Sequence, residues 1–518
     1  MNQHQPQDTH VDAVMRELDA VEDQVDQFVP EAGDDGKRSQ ATRLVTIARE
    51  SYRLVLGEDG RCYAVDPGGP AVAVPLRGRD GLRTRLARTY YARTGTAPAA
   101  SSLADALTVI EGMTADTRPV PVALRVARHG SNIVLDLADP SGRAIVVCPG
   151  GWYLAESSPV LFRRTALTHP LCVPEVVGRA GLAELRRLLN VDDAGFGLVI
   201  AWLLAALVPE IPHPILALTG EQGTAKSTAA RFLVSLIDPS PAPLRSAPRD
   251  VRQWAVTAAA SWTVALDNIS SIPPWLSDTL CKAVTGDGIV ERALFTDDDV
   301  TVLAFRRALV LTSIDAGVLA GDLAERLVCV ELQRIDPTRR LPDEAIESAY
   351  QHARPVILGA LLDLLGDVLA ALPNVRLERL PRMADFARLL GAVDDVTGWQ
   401  TLASYTAAAD DVTYSVLDAD LFGSAVRQLM SGQREGWAGT AAELLEQVSP
   451  AVVPRGFPRS PRALSGQLRR LAPALRAAGI DIDFTKTERH RLIVLTRRAS
   501  EDIGGEPSRP SSPASEPP

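Results

Sequence analysis

The sequence predicts an α/β multidomain chain: a P-loop parallel-sheet core with an N-terminal α+β domain, a helical lid region and a C-terminal winged-helix-like domain. The core is predicted by an apolar run, Pro214 to Leu218, that leads into Gly220-Glu221-Gln222-Gly223-Thr224-Ala225-Lys226-Ser227. Helically spaced apolar residues then continue to Ile237. Two further apolar runs, Trp262 to Leu266 and Ala308 to Ser313, read as core strands. From residue 438, helical patterns give way to two short strands, the winged-helix order.

Strand, glycine-bearing turn and helix, in that order, form the context of a phosphate-binding loop. Backbone N–H groups of the turn and of the helix start suit anionic oxygens. The nucleotide-binding stretch is expected to be Gly220, Glu221, Gln222, Gly223, Thr224, Ala225, Lys226, Ser227 and Thr228, with ATP as the nucleotide. Lys226 is expected at the β- and γ-phosphates, and Ser227 on Mg²⁺. Ala225 stands where the strict pattern has a final glycine, so it is expected to keep φ negative. Only four of the 54 basic residues are lysine, which makes a lysine at 226 a choice for a compact ammonium.

The second strand ends in Asp267, four apolar residues running into an acid, and is expected to help hold Mg²⁺. Asn268 follows it; an amide can orient water but cannot take its proton. Thr312 or Ser313, at the end of the third strand, is a candidate sensor of the γ-phosphate. Arg326, in Gly321-Asp-Leu-Ala-Glu-Arg-Leu327, is a candidate to act across a subunit boundary; the plainer alternative is an ion pair with Asp322 one helical turn away.

The remaining chain divides by composition. Residues 1–40 are polar and acidic, with a short helix expected over 11–28 and a disordered linker after it. Residues 41–175 mix strand signals over 44–64 and 133–154 with an Arg-rich helix over 81–94, and the sequence assigns them no role. Asp136 and Asp139 lack the partners of a primase–polymerase acidic set and read as a strand-end and a turn residue. The ATPase core is expected over 176–340, a helical lid or linker over 341–435, the winged-helix-like domain over 436–498, and a disordered Ser/Pro/Glu-rich tail over 499–518.

Bulk properties limit the function classes. Of 518 residues, 46% are hydrophobic and 23% charged, as in a soluble globular protein. The five cysteines are scattered without metal-ligand spacing, which fits a reducing, cytoplasmic setting. The most hydrophobic run, Phe196 to Val208, has 13 residues and is too short to span a bilayer, so no membrane partner is expected. The net charge of −10 makes any DNA contact local. From Arg455 to Arg498 eleven basic residues face three acidic ones, and Arg469, Arg470, Arg489 and Arg491 are the candidate DNA contacts. The turn Asp297-Asp298-Asp299 is unsuited to a phosphate backbone.

The ordered set GEQGTAKS, TVALDN, a hairpin, LVLTS and DLAERL resembles superfamily-three helicase-type AAA+ ATPases. More closely, residues 130–497 are similar to ATP-binding proteins of phage, plasmid and integrative elements of high-GC bacteria. The phrases that carry this are Gly151-Trp152 with Pro159 to Arg163, then LDNISSIPPWLSDTLC, RALFTDDD and LPRMADFARL. The resemblance implies a Mg²⁺-dependent, helicase-like ATPase that unwinds or remodels DNA for a mobile element, acting as a homo-oligomer such as a hexameric ring. Asn268 and the acidic turn favour an alternative, a slowly hydrolysing ATP-dependent switch that docks DNA without translocating.

Overall fold

The computed structural model describes residues 38–292, 300–303, 305–312, 321–433, 436–454, 457–486 and 491–497. The expectations for the 11–28 helix, the Asp297–Asp299 turn, Ser313, Arg489 and the 499–518 tail fall outside these residues.

The chain forms two compact units, one up to Asp315 and from Glu325 to Ala409, the other from Asp410 onward with the helix Gly321–Ala324. The first unit opens with the helix Gln40–Ser51, where strands were expected from Leu44. Its Val45-Thr46-Ile47 run has strand composition, but Leu44, Ile47 and Ala48 lie one helical turn apart and are all buried, and Ser39 caps the start by accepting from the Thr42 N–H. Strands β1 (Arg53–Leu56), β2 (Cys62–Val65) and β3 (Val74–Pro75) follow as a small antiparallel sheet. Helices Leu82–Thr94 and Ala100–Ala115 join the first helix in one core with Leu54 and Leu76.

The next strands are β4 (Val122–Ala123), β5 (Val126–His129), β6 (Asn132–Asp136), β7 (Ala144–Cys148), β8 (Gly151–Ala155) and β9 (Leu161–Phe162). Strands β5 to β8 make an antiparallel meander, and β4 pairs with β9. Asp136 accepts two bonds from Arg164, at 2.8 and 2.9 Å, and Asp139 pairs with Arg143. Both carboxylates are thus occupied structurally, in line with the plain reading.

The parallel sheet is built from β10 (Ile215–Thr219), β11 (Leu244–Arg245), β12 (Thr263–Leu266), β15 (Ala308–Thr312) and β16 (Leu327–Glu331) in the order β11-β12-β15-β10-β16. The strands between, β13 (Ile289–Arg292) and β14 (Val300–Leu303), form the expected antiparallel hairpin. All neighbouring pairs in the large sheet are parallel, so every strand's C-terminal end lies on one edge. The chain order reverses beside β10, and in open parallel sheets ligands bind in the crevice at such a reversal.

The expected boundaries at 175 and 340 both fall inside this unit. One continuous core includes Leu135 of the meander, Trp202, Leu216 of the parallel sheet, Phe232 and Leu361. Arg125, fully buried, joins the layers: it donates to Asp238 Oδ1 at 2.9 Å and to the carbonyls of Asp136 and His169. The other oxygen of Asp238 accepts from the N–H groups of Trp262 and Thr263 at the start of β12. Breaking a buried pair of this kind by removing one partner costs about 3–5 kcal/mol.

The 13-residue apolar run belongs to the helix Asp193–Ala206, buried from Gly195 onward. The helix Asp343–Ala371 contains an apolar window long enough to cross a membrane, but 61% of that window is buried inside the protein. Tyr350 stacks on Phe232 at 4.1 Å and donates to its carbonyl, and Gly366 lets the turn before β8 lie on the helix, its carbonyl accepting from the Gly150 N–H. The stretch from Ile357 to Leu369, expected as part of a lid, is therefore core.

The second unit follows the order expected of a winged-helix module. Helix Leu421–Ser431 leads to β17 (Trp437–Thr440), helices Ala441–Val448 and Pro461–Ala477, then β18 (Ile480–Lys486) and β19 (Arg491–Arg497). Thr440 and Glu443 form a reciprocal cap on the first of the paired helices. β19 lies between β17 and β18, and Phe422, Leu444, Leu468, Ile482 and Leu495 fill the core beneath.

Candidate functional site

The C-terminal edge of the parallel sheet gathers most of the expected site residues. β10 ends at Thr219; Gly220 follows with φ of 126°, where a side chain would meet the Leu332 carbonyl at 2.5 Å. The turn from Glu221 to Gly223 is exposed, Thr224 is buried and donates to the Glu221 carbonyl, and Thr228 sits half-buried in the first turn of helix Lys226–Ile237.

Ala225 overturns the expectation of negative φ. It caps that helix in the left-handed region, at φ 65° and ψ 32°, which costs an alanine about 1–2 kcal/mol. The strict pattern's glycine would avoid that cost. No side chain caps the helix and its first turn has no acid, so the leading N–H groups keep their donor capacity. Lys226 folds its ammonium over the turn and donates to the carbonyls of Gly220 and Glu221 at 2.8 and 2.6 Å.

Three elements meet at Asp267. Ser227 Oγ donates to its Oδ1 at 2.8 Å, and Thr312 Oγ1 donates to the same oxygen at 2.6 Å. The Asn268 N–H donates to Thr312 Oγ1 at 2.9 Å. A hydroxyl and a carboxylate oxygen in contact form an all-oxygen donor pair of the type Mg²⁺ takes, with the remaining positions left to water or phosphate oxygens.

Thr312, a candidate γ-phosphate sensor, is fully buried and its hydroxyl is committed to Asp267, whose carboxylate it holds in place. Arg326 lies at the entry to β16, its carbonyl accepting from the Ile215 N–H, at the end of β10 opposite the turn. The residue is 9% exposed, whereas a group acting across a subunit boundary must reach the surface. The structure does not bring it to the site.

Asn268 is exposed and left-handed, at φ 56°. Asparagine tolerates that conformation better than glutamate, so the backbone gives a reason for the amide that the sequence alone hides. One residue escaped sequence reasoning: Arg340, whose Nη2 lies 3.3 Å from where a Cβ on Gly223 would stand. No local motif marks it, because only the fold returns the chain to the turn.

In the second unit Arg469 and Arg470 are exposed on helix Pro461–Ala477, and Arg491 is exposed at the start of β19. The Arg469 guanidinium stands 4.4 Å over the ring of the exposed Phe484. Arg470 and Arg491 are open to solvent.

The family model of the actinomycete integrative conjugative element replication protein matches residues 182–415. The AICE RepA C-terminal domain model matches residues 422–512. Together they cover more than half of the chain, including the strand-end site and the winged module. No curated protein matches the chain. Among solved structures, the A form apo structure of the NrS-1 C terminal region aligns at 11% identity, over 89% of this chain and 99% of that one, with a TM-score of 0.37. A second apo structure of that region aligns at 10% identity over 89% and 100%, with a TM-score of 0.36. By its family matches the chain is a replication protein of a mobile element, of the kind carried by actinomycete integrative conjugative elements.

Proposed function

We propose that the protein is a Mg²⁺-dependent P-loop ATPase whose hydrolysis cycle drives remodelling or unwinding of DNA during replication of its element. The observation that carries this reading is the contact of Ser227 and Thr312 with a single oxygen of Asp267, beside an uncapped helix start with Lys226 folded over the turn. Open N–H donors at a helix start favour phosphate oxygens, and the Lys226 ammonium compensates the β- and γ-phosphates as they enter. Ser227 and Asp267 would hold Mg²⁺, which would supply positive charge against the phosphate oxygens when bound. Hydrolysis joins water to the γ-phosphoryl group and releases ADP and phosphate. Arg340 lies close enough to the turn to place a guanidinium at the phosphates from within the same chain. The winged module contributes DNA contacts through Arg470 and Arg491, and the active form is a homo-oligomer.

A specific observation favours a second reading, an ATP-dependent switch with slow turnover. The residue after Asp267 is an amide held left-handed, and no carboxylate stands at that position to draw the proton from the attacking water. Steady-state ATP turnover, with and without DNA, separates the two. Turnover of about 1 s⁻¹ or more, stimulated by DNA, fits the remodelling enzyme. Turnover far below this and indifferent to DNA fits the switch. Binding of labelled ATP unchanged by Lys226→Ala removes both.

A further inference from the structure

The first unit holds a cleft of about 800 Å³ that lies apart from the strand-end site and is lined by Arg61, Arg77, Arg79, Arg85, Arg163 and Arg164. Only two carboxylates, Asp66 and Asp80, share that lining. Asp66 Oδ1 accepts from the Gly68 N–H at 3.0 Å, holding its own turn. Arg164 is matched by Asp136 and Arg77 by Glu111, both from outside the cleft. Arg85 and Arg163 donate only to carbonyls, of Asp80 and Ala259. Arg61 and Arg79 have no carboxylate within ion-pair distance among the described residues. Burial lowers the pKa of Arg163; Tyr63 and Asp59 act against that shift and the nearby Arg61 charge acts with it. Six guanidinium groups on one concave surface outnumber the carboxylates around them (Asp66 and Asp80 in the lining, Asp136 and Glu111 as outside partners, and Asp59 beside Arg163), which leaves a positive potential that an anion relieves.

We propose that this cleft is a second nucleic-acid contact, which grips the phosphates of a single DNA strand. The cations are all arginines, whose planar forks match phosphate oxygens in pairs. The one aromatic in the lining, Tyr63, is buried and its hydroxyl donates to Asp59, so it offers no stacking face and the grip is on backbone. Single strands are held by such positively charged grooves. A duplex carries its phosphates on a broad convex cylinder and does not enter a concavity of the size that encloses a single ligand. The family is one of replication proteins, whose work is on DNA, and the net charge of −10 leaves local basic surfaces to make the contact.

The test uses the full chain with Arg469→Ala and Arg470→Ala already present, so that the winged module is weakened. Arg61→Ala and Arg79→Ala are added together; both side chains are exposed and their removal leaves the core intact. Binding of a fluorescein-labelled oligothymidylate is followed by anisotropy across a salt series, beside a duplex of equal length. We expect single-strand affinity to fall about tenfold or more, the log–log salt slope to shrink by about 0.7 for each arginine removed, and duplex binding to change little. Lysine at both positions restores the slope but not the full affinity, because the charge returns without the fork. Unchanged single-strand affinity and slope overturn the proposal. So does an equal loss for duplex, or selective loss of binding to labelled ATP or to inorganic phosphate. ATP turnover without DNA is compared between the Arg469→Ala, Arg470→Ala background and the protein carrying the two further substitutions; the phosphate-loop reading fails if the background itself shows none, which keeps the two separable.

Discussion

The strand-end site and the arginine face of the winged module are both candidate places for phosphate, yet they are built on opposite principles. At the strand ends the key side chains hold one another. Ser227 and Thr312 fix Asp267, Thr312 also takes the Asn268 N–H, and Lys226 is held by two carbonyls. On the winged module Arg470 and Arg491 stand in solvent and Arg469 rests on one ring. Chemistry at a single atom needs groups placed in advance, because their reorganisation would otherwise add to the barrier. A contact with a repeating backbone needs only charge and reach, and a freely moving arginine supplies both. Substitutions at the first site should therefore act steeply and non-additively, and those at the second gradually.

The steepest effect is expected for Lys226→Ala: ATP turnover falls on the order of 10²–10³-fold or more with the far-ultraviolet spectrum unchanged. Parental turnover in that variant would remove the wired site from the comparison. Next comes Thr312→Val, which keeps the shape and deletes the hydroxyl. Losing a hydrogen bond to a charged group costs about 1.5–3 kcal/mol, and the freed carboxylate should raise the Mg²⁺ concentration needed for half-maximal turnover. An unchanged Mg²⁺ dependence would mean that Thr312 only supports packing.

Backbone strain gives a finer probe. Asn268→Glu places a less tolerant residue at φ 56°, and we expect a loss of about 1 kcal/mol in thermal denaturation; Ala225→Gly should gain a similar amount. The opposite signs would show that neither residue is held left-handed. Arg326→Ala should lower stability, and its mixtures with the parent should lose activity in simple proportion, since the side chain is buried away from the turn. Disproportionate poisoning would restore a role between subunits. The smallest effects belong to the winged module: Arg470→Ala should shrink the salt slope of duplex binding by about 0.9 and no more. Arg469→Ala should add a small loss of stability from the contact with Phe484, about 0.5–1 kcal/mol.

Local pattern by itself determined the elements that bear the site. Apolar runs with bounded ends place β10, β12 and β15 within a residue or two of their observed limits, and the glycine-bearing turn can only lie between the first of these and its helix. The same holds for the winged module, where cap, helix spacing and alternation all agree. Where local signals conflict the reading failed, as at residues 44–51, whose β-branched run is helical because its buried positions repeat at helical spacing. Tertiary structure alone decided the rest. Whether Thr312 faces a ligand or a carboxylate depends on β12 lying beside β15, a pairing between segments more than forty residues apart. The burial of Arg326, the approach of Arg340 to Gly223 and the gathering of six arginines in one cleft depend on chain segments meeting from a distance. A sequence carries its periodicities locally, whereas contact between remote segments is fixed by burial of the whole core, and it is those contacts that assign each side chain its task.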